Sequence, residues 1–176
     1  MRYPTLYAGQ RLTGLLLQQM LPDVIVKGTN EDRASTTTVT NDAELVATLE
    51  ANALYHITFF IHFAAIDAAQ FQTQWSVPAS ATGVRSAQGA AWTLAGGAAT
   101  ASAADGGYHR SGVHAYGTAV RYGTRASASN QALAQEESVL TTVSGGTLAL
   151  QWAQAVSNAS AARVAAGSSL HVRRLA

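Results

Sequence analysis

Between Leu54 and Phe63 the chain alternates. Tyr55, Ile57, Phe59, Ile61 and Phe63 fall on one side of an extended backbone, and Leu54, His56, Thr58, Phe60 and His62 fall on the other. Successive side chains of a β-strand point to opposite faces, so this stretch predicts a strand with one continuous core face. "QFQTQWSVP" repeats the pattern, with Phe71, Thr73, Trp75 and Val77 on one side and Gln70, Gln72 and Gln74 on the other, before Pro78 closes it. "TLALQWAQAV" puts Leu148, Leu150 and Trp152 together, and "SSLHVRRL" sets Leu170, Val172 and Arg174 against His171, Arg173 and Leu175.

Weaker signals fill the intervals. "DVIVK", "STTTVT" (35–40), "AELVATLE", "ESVLTTV" and "ARVAA" read as short strands, with Asn41-Asp42, Ala51-Asn52, Ser144-Gly145-Gly146 and "SNAS" as turns. A strand is expected around Ala90 to Ala95, a long Gly-rich surface loop over 95–112, renewed alternation over 113–122 and a connection over 125–135. The N-terminal segment differs in period. Leu12, Leu15, Leu16 and Met20 recur at helical spacing until Pro22, with Gly14 weakening the helix. This predicts a short amphipathic arm over 1–22, packed on its own domain or on a partner, ahead of a β-domain over 23–176. Eight to ten short strands without crossover helices make an all-β jelly-roll β-sandwich the economical architecture.

Composition agrees with sheets. Of 176 residues, 48% are hydrophobic and only 12% charged, so Thr, Ser, Gln and Asn must supply the polar surface. A net charge of +1 provides no basic field for a nucleic-acid backbone. Without cysteine there is no disulfide, thiolate metal site or cysteine nucleophile. The apolar run Leu15 to Leu17 is too short for a secretory h-region, and no stretch reaches the ~18 apolar residues of a membrane helix. The expectation is a protein made in the cytoplasm, with no membrane insertion.

Catalytic constellations are missing. There is no G-x-S-x-G and no phosphate loop, and most of the ten acids, such as Asp32, Asp42, Asp67 and Asp105, sit in apparent turns. Glu136 and Glu137 are adjacent, so on a strand they point to opposite faces. No enzyme and no cofactor are expected. His56 and His62 share a face but stand six residues apart, roughly 20 Å at ~3.3 Å per residue, too far for one metal ion within one chain. Their face mixes aromatic and neutral polar residues. It is either a second core face or a subunit interface, where aromatics are enriched and charges depleted. Beside a three-fold axis each histidine would meet its own copies, a ring able to bind an ion or respond to pH. Trp92, Tyr108, His109, Arg110 and Tyr116, in and around the Gly-rich loop, form a candidate outward recognition surface.

"AGQRLTGLLLQQMLP", "ANALYHITFFIHFAA", "QTQWSVPASATG" and the closing "GGTLALQWAQAVSNASAARVAAGSSLHVRRL" resemble a family of small virion-surface proteins of actinobacterial tailed phages. The resemblance spans about two thirds of the chain and leaves out 87–135. It implies a trimeric jelly roll of the C1q and tumour-necrosis-factor type, minor tail or capsid-associated, with no catalytic residues. On that reading Leu54, His56, Thr58, Phe60 and His62 form the homotrimer interface. Leu12, Leu15, Leu16 and Met20 anchor the arm to other virion proteins of tail or capsid, and the loop meets a host cell-surface glycan or protein. Capsid decoration by the same fold, or a carbohydrate-binding module relying on Trp92, Tyr108 and Tyr116, are the alternatives.

Overall fold

The computed structural model describes residues 7–18, 21–90, 109–124 and 127–176, with the backbone alone at 15, 18, 109–110 and 127–129. These residues form antiparallel sheets throughout. The strands are β1 (Asp23–Val26), β2 (Glu31–Arg33), β3 (Thr40–Leu49), β4 (Ala53–Ala65), β5 (Phe71–Ser76), β6 (Arg85–Ala90), β7 (His109–His114), β8 (Val120–Tyr122), β9 (Ser127–Thr142), β10 (Gly146–Gln154), β11 (Ala162–Val164) and β12 (Ser169–Arg174). One helical segment, α1 (Gly14–Gln18), precedes them and spans five residues.

The larger sheet runs β1-β12-β4-β9-β6-β7, with β11 joining β4 to β2, and the smaller runs β3-β10-β5-β8. The two pack face to face as a β-sandwich. Phe59 of β4 meets Trp75 of β5 edge to face at 4.8 Å, and Phe63 stacks on Phe71 at 4.4 Å. Tyr55, Ile57, Phe59, Ile61 and Phe63 are all buried, as the alternation requires, and Leu148, Leu150, Trp152, Leu170 and Val172 close the core from β10 and β12. β4 is the backbone of the larger sheet. It pairs with β9 from Ala53↔Thr142 to Phe63↔Ala132 and with β12 from Tyr55↔Arg174 to Phe60↔Ser169.

Several expectations are corrected. Residues 35–39 lie outside any strand, and β2 falls earlier, at Glu31–Arg33. Asn41-Asp42 is part of β3 rather than a turn, and Asp32 lies within β2. The strand expected from Ala90 begins earlier as β6, while 91–95 lie outside the described residues. The tract expected as a connection over 125–135 belongs from Ser127 to the longest strand, β9. The alternation expected across 113–122 is broken between β7 and β8 by turn and coil residues at 115–119. Most of the expected Gly-rich loop lies outside the described residues, and its last part, from His109, is strand β7.

Candidate interaction face

The larger sheet turns its second face away from the sandwich. Leu54, His56, Thr58, Phe60 and His62 stand on it and are half-buried, so the described layers do not make it a second core face. Cross-strand register extends it into rows. One row reads Val24, His171, Thr58, Glu137, Ser86 and Val113, and the next reads Val26, Ser169, Phe60, Gln135, Gln88 and Ser111. Six strands at ~4.8 Å make the face roughly 24 Å wide. Val24, Val26, Val113, Leu133 and Val139 keep between 42% and 64% of their surface exposed on it. These apolar side chains are interspersed with the polar residues of both rows, so the face is mixed rather than one continuous apolar patch.

Charge on this face is sparse and balanced. Arg173, opposite His56, and Glu137, opposite Thr58, are the charged residues of its centre. At one end Arg163 forks onto Asp32 through Nε and Nη2 at 2.6 and 2.7 Å. The guanidinium holds the Asp32 carboxyl below its usual range, and Asp32 in turn raises Arg163. His56 reaches diagonally across the ladder to pair with Glu137 through Nε2. His62 packs edge to face on Phe60 at 5.3 Å, and His171 Nε2 lies 3.0 Å from Ser169 Oγ. Among the described side chains, His56, His62 and His171 therefore share one face. Beside Glu137 a shallow groove is lined by Ser86, Gln88, Ser111, Val113 and Gln135, with no aromatic platform for a sugar ring. Among the described residues no group of three or more His, Cys, Asp or Glu is placed to hold a metal, and no helix is long and apolar enough to cross a membrane.

The other expected site residues fare unevenly. Tyr116 is corrected: it is buried, stacks on Trp75 at 5.7 Å and bonds Ser138 Oγ at 2.8 Å, so it is not part of an outward surface. Burial raises its phenol above the usual range. Trp92 and Tyr108 lie outside the described residues, and His109 and Arg110 are placed on β7 by backbone alone. On the arm, Leu12 is exposed and Leu16 half-buried. Leu15 is placed by backbone only, and Met20 lies outside the described residues.

Two buried polar clusters were not anticipated. Glu136, fully enclosed between the sheets, pairs with Arg85 and accepts from the Thr73 hydroxyl, Trp75 Nε1 at 2.5 Å and Tyr122 Oη at 2.6 Å. Arg85 also donates through Nη2 to the Thr73 and Thr118 carbonyls at 2.9 and 2.7 Å. Burial and the Glu136 carboxylate together push the Tyr122 phenol strongly upward. The signal available in the sequence was Thr73, a hydroxyl set between Phe71 and Trp75 on a core-facing register. The second cluster centres on Lys27, whose Nζ lies 2.9 Å from Asp42 and 3.1 Å from Glu31. Burial alone would lower the Lys27 ammonium, but the bonds to Asp42 and Glu31 outweigh it and raise it. In both clusters the charged groups bond one another across the sandwich, and only Arg85 Nε is left buried without a partner among the described residues; such mutual pairing is the pattern of structural pinning.

The sequence matches no family model, and no curated protein is significantly similar to it. A solved structure of infectious bursal disease virus Gx strain is similar at 13% identity and a TM-score of 0.19, over 87% of this chain and 40% of that one. The chain thus spans less than half the length of that neighbour, and at such a score the likeness carries no argument about fold or function.

Proposed function

We propose that this chain is a structural virion protein of a tailed phage, a jelly roll that self-associates as a homotrimer on the particle surface, on the tail or its fibres, where it contacts the host. The observation that carries the reading is the outward face of β4, half apolar, nearly uncharged and left open by the described layers. Copies of the same chain are the occupant the charge pattern favours. Arg173, Arg163, Glu137 and Asp32 cancel, so at neutral pH the face does not repel itself.

Strand order supports the jelly roll. With β1, β3, β4, β5, β8, β9, β10 and β12 taken as eight successive strands, the first, eighth, third and sixth share one sheet. The second, seventh, fourth and fifth share the other, the interleaving of two Greek keys. The β6-β7 hairpin then extends the edge of the larger sheet. The virion assignment rests on the sequence segments that resemble phage surface proteins, three of which map onto β4, β5 and β10 to β12.

Light scattering on the purified protein at neutral pH tests the assembly, with a mass about three times 18.3 kDa expected and a monomer overturning it. Quantitative mass spectrometry of purified particles tests the location. Recovery in proportion to tail proteins is expected. Recovery in proportion to shell subunits would move the protein to the capsid, and absence from particles would overturn the virion role.

A further inference from the structure

Resting on the self-association reading above, we propose that the outer face of the larger sheet is an acid-released contact, closed between copies at neutral pH and opened by protonation of His56, His62 and His171. Charge count decides whether a surface that meets its own copies holds together. The charged groups facing β4 are Arg173 from β12, Glu137 from β9, Arg163 from β11 and Asp32 from β2. The outward residues of β1, β6 and β7 with described side chains are Val24, Val26, Ser86, Gln88, Ser111 and Val113, none of them charged, and His109 holds the next position of the same β7 alternation, in register with Ala90. At the end of the sheet Arg174 is matched by Glu50. The fixed charges therefore cancel, and the histidines decide the sign. Imidazoles ordinarily change charge between about pH 5 and 8. Once all three are protonated, the named groups of each copy carry a net three positive charges on this face.

Position sharpens the effect. His56 lies directly across the ladder from Arg173, so its protonation sets two cations side by side. Glu137 partners one histidine, His56, and is then spent. His62 meets a phenyl ring and His171 a serine hydroxyl, neither of which offers a counter-charge. Across a contact that excludes water, like charges are screened less than in solvent, so the repulsion acts where assembly is decided.

The test is light scattering of the full chain between pH 8 and pH 5, at low and high salt, with near-ultraviolet circular dichroism followed on the same samples. The expected result is a trimer at pH 7.5 that falls to monomers as the pH is lowered to 5, with the tertiary signal retained and the transition blunted by salt. The triple variant His56→Gln, His62→Gln, His171→Gln should remain trimeric across the range. A mass unchanged down to pH 5, an acid dissociation that persists in the triple variant, or dissociation only with loss of the tertiary signal would overturn the proposal. A monomer already at pH 7.5 would instead overturn the self-association reading, so the two failures are distinct.

Discussion

Arg85 and Glu136 form an ion pair with no solvent-exposed surface on either side chain, held between the two sheets of the sandwich. Removing one partner leaves the other charge buried and unmatched, which typically costs about 3–5 kcal/mol. Arg85→Met and Glu136→Gln are each expected to lower the urea midpoint sharply without changing the slope. The double variant should be more stable than the two losses summed. Chemical denaturation of the three proteins checks this, and strict additivity would mean that the pair does not act as a unit.

Glu44 gives the fold an acid limb. Its carboxylate accepts from the Thr29 hydroxyl at 2.6 Å and from the Gly28 N–H at 2.6 Å, and these bonds hold it down to about 2. Burial alone would raise Asp42, but its bonds to Lys27 and to the Leu45 and Glu44 N–H groups outweigh that and lower it. A carboxylate depressed in the folded state contributes stability above its unfolded value of about 4. That contribution is lost as pH falls through the folded value. Stability measured by denaturant at stepped pH should therefore drop between about pH 4.5 and 2. Glu44→Gln should be less stable at pH 6 and show a shallower fall over that window.

Gly83 marks a place where the backbone leaves no room. Its φ is +136°, and a Cβ there would lie 2.7 Å from the Val139 carbonyl oxygen and collide with the Tyr116 hydroxyl. Gly83→Ala should cost more than about 1 kcal/mol through backbone strain alone. Tyr116→Phe, which removes the bond to Ser138 but keeps the stacking on Trp75, should cost about 1 kcal/mol. Thermal unfolding of the two variants measures both losses. A neutral Gly83→Ala would show that β6 enters the sheet differently.

These cases also explain which parts were legible beforehand. β4 and β10 carry runs of large apolar residues at every second position, and β5 brackets Thr73 with Phe71 and Trp75, so period alone exposes them. β9 does not over its middle, because its inward positions before Leu140 are Ala132, Ala134, Glu136 and Ser138. Across from them the space is taken by Trp75, Tyr116 and Tyr122, two of which bond Glu136 and the third Ser138. Small and polar residues facing large aromatics fill a core as well as an apolar stripe does, but they leave no alternating signal. Asp42 failed for a related reason. Asn-Asp reads as a turn, yet Asp42 is buried and accepts from Lys27, Trp152 and two backbone N–H groups. Partners as far away in sequence as Trp152 are invisible to a local pattern. The outward face was legible in β4, where every inward residue from Tyr55 to Phe63 is large, and its width was not, since that depends on register with five other strands.

Phe60 offers the most direct check on that face. It stands on the central strand between Ser169 and Gln135, half-exposed, with its ring against His62. No core packing depends on it, so Phe60→Glu should leave the monomer's fold and thermal midpoint nearly unchanged. In an assembly that buries this face, the same substitution places a carboxylate in a contact repeated by every copy, where an unpaired buried charge costs several kcal/mol. Light scattering should report a single-chain mass for Phe60→Glu beside a trimer for the parent protein, with identical circular dichroism. Ser76→Glu on the smaller sheet should stay trimeric. A trimer that survives Phe60→Glu would place the contact elsewhere on the sandwich, and the open face of β4 would then need another occupant.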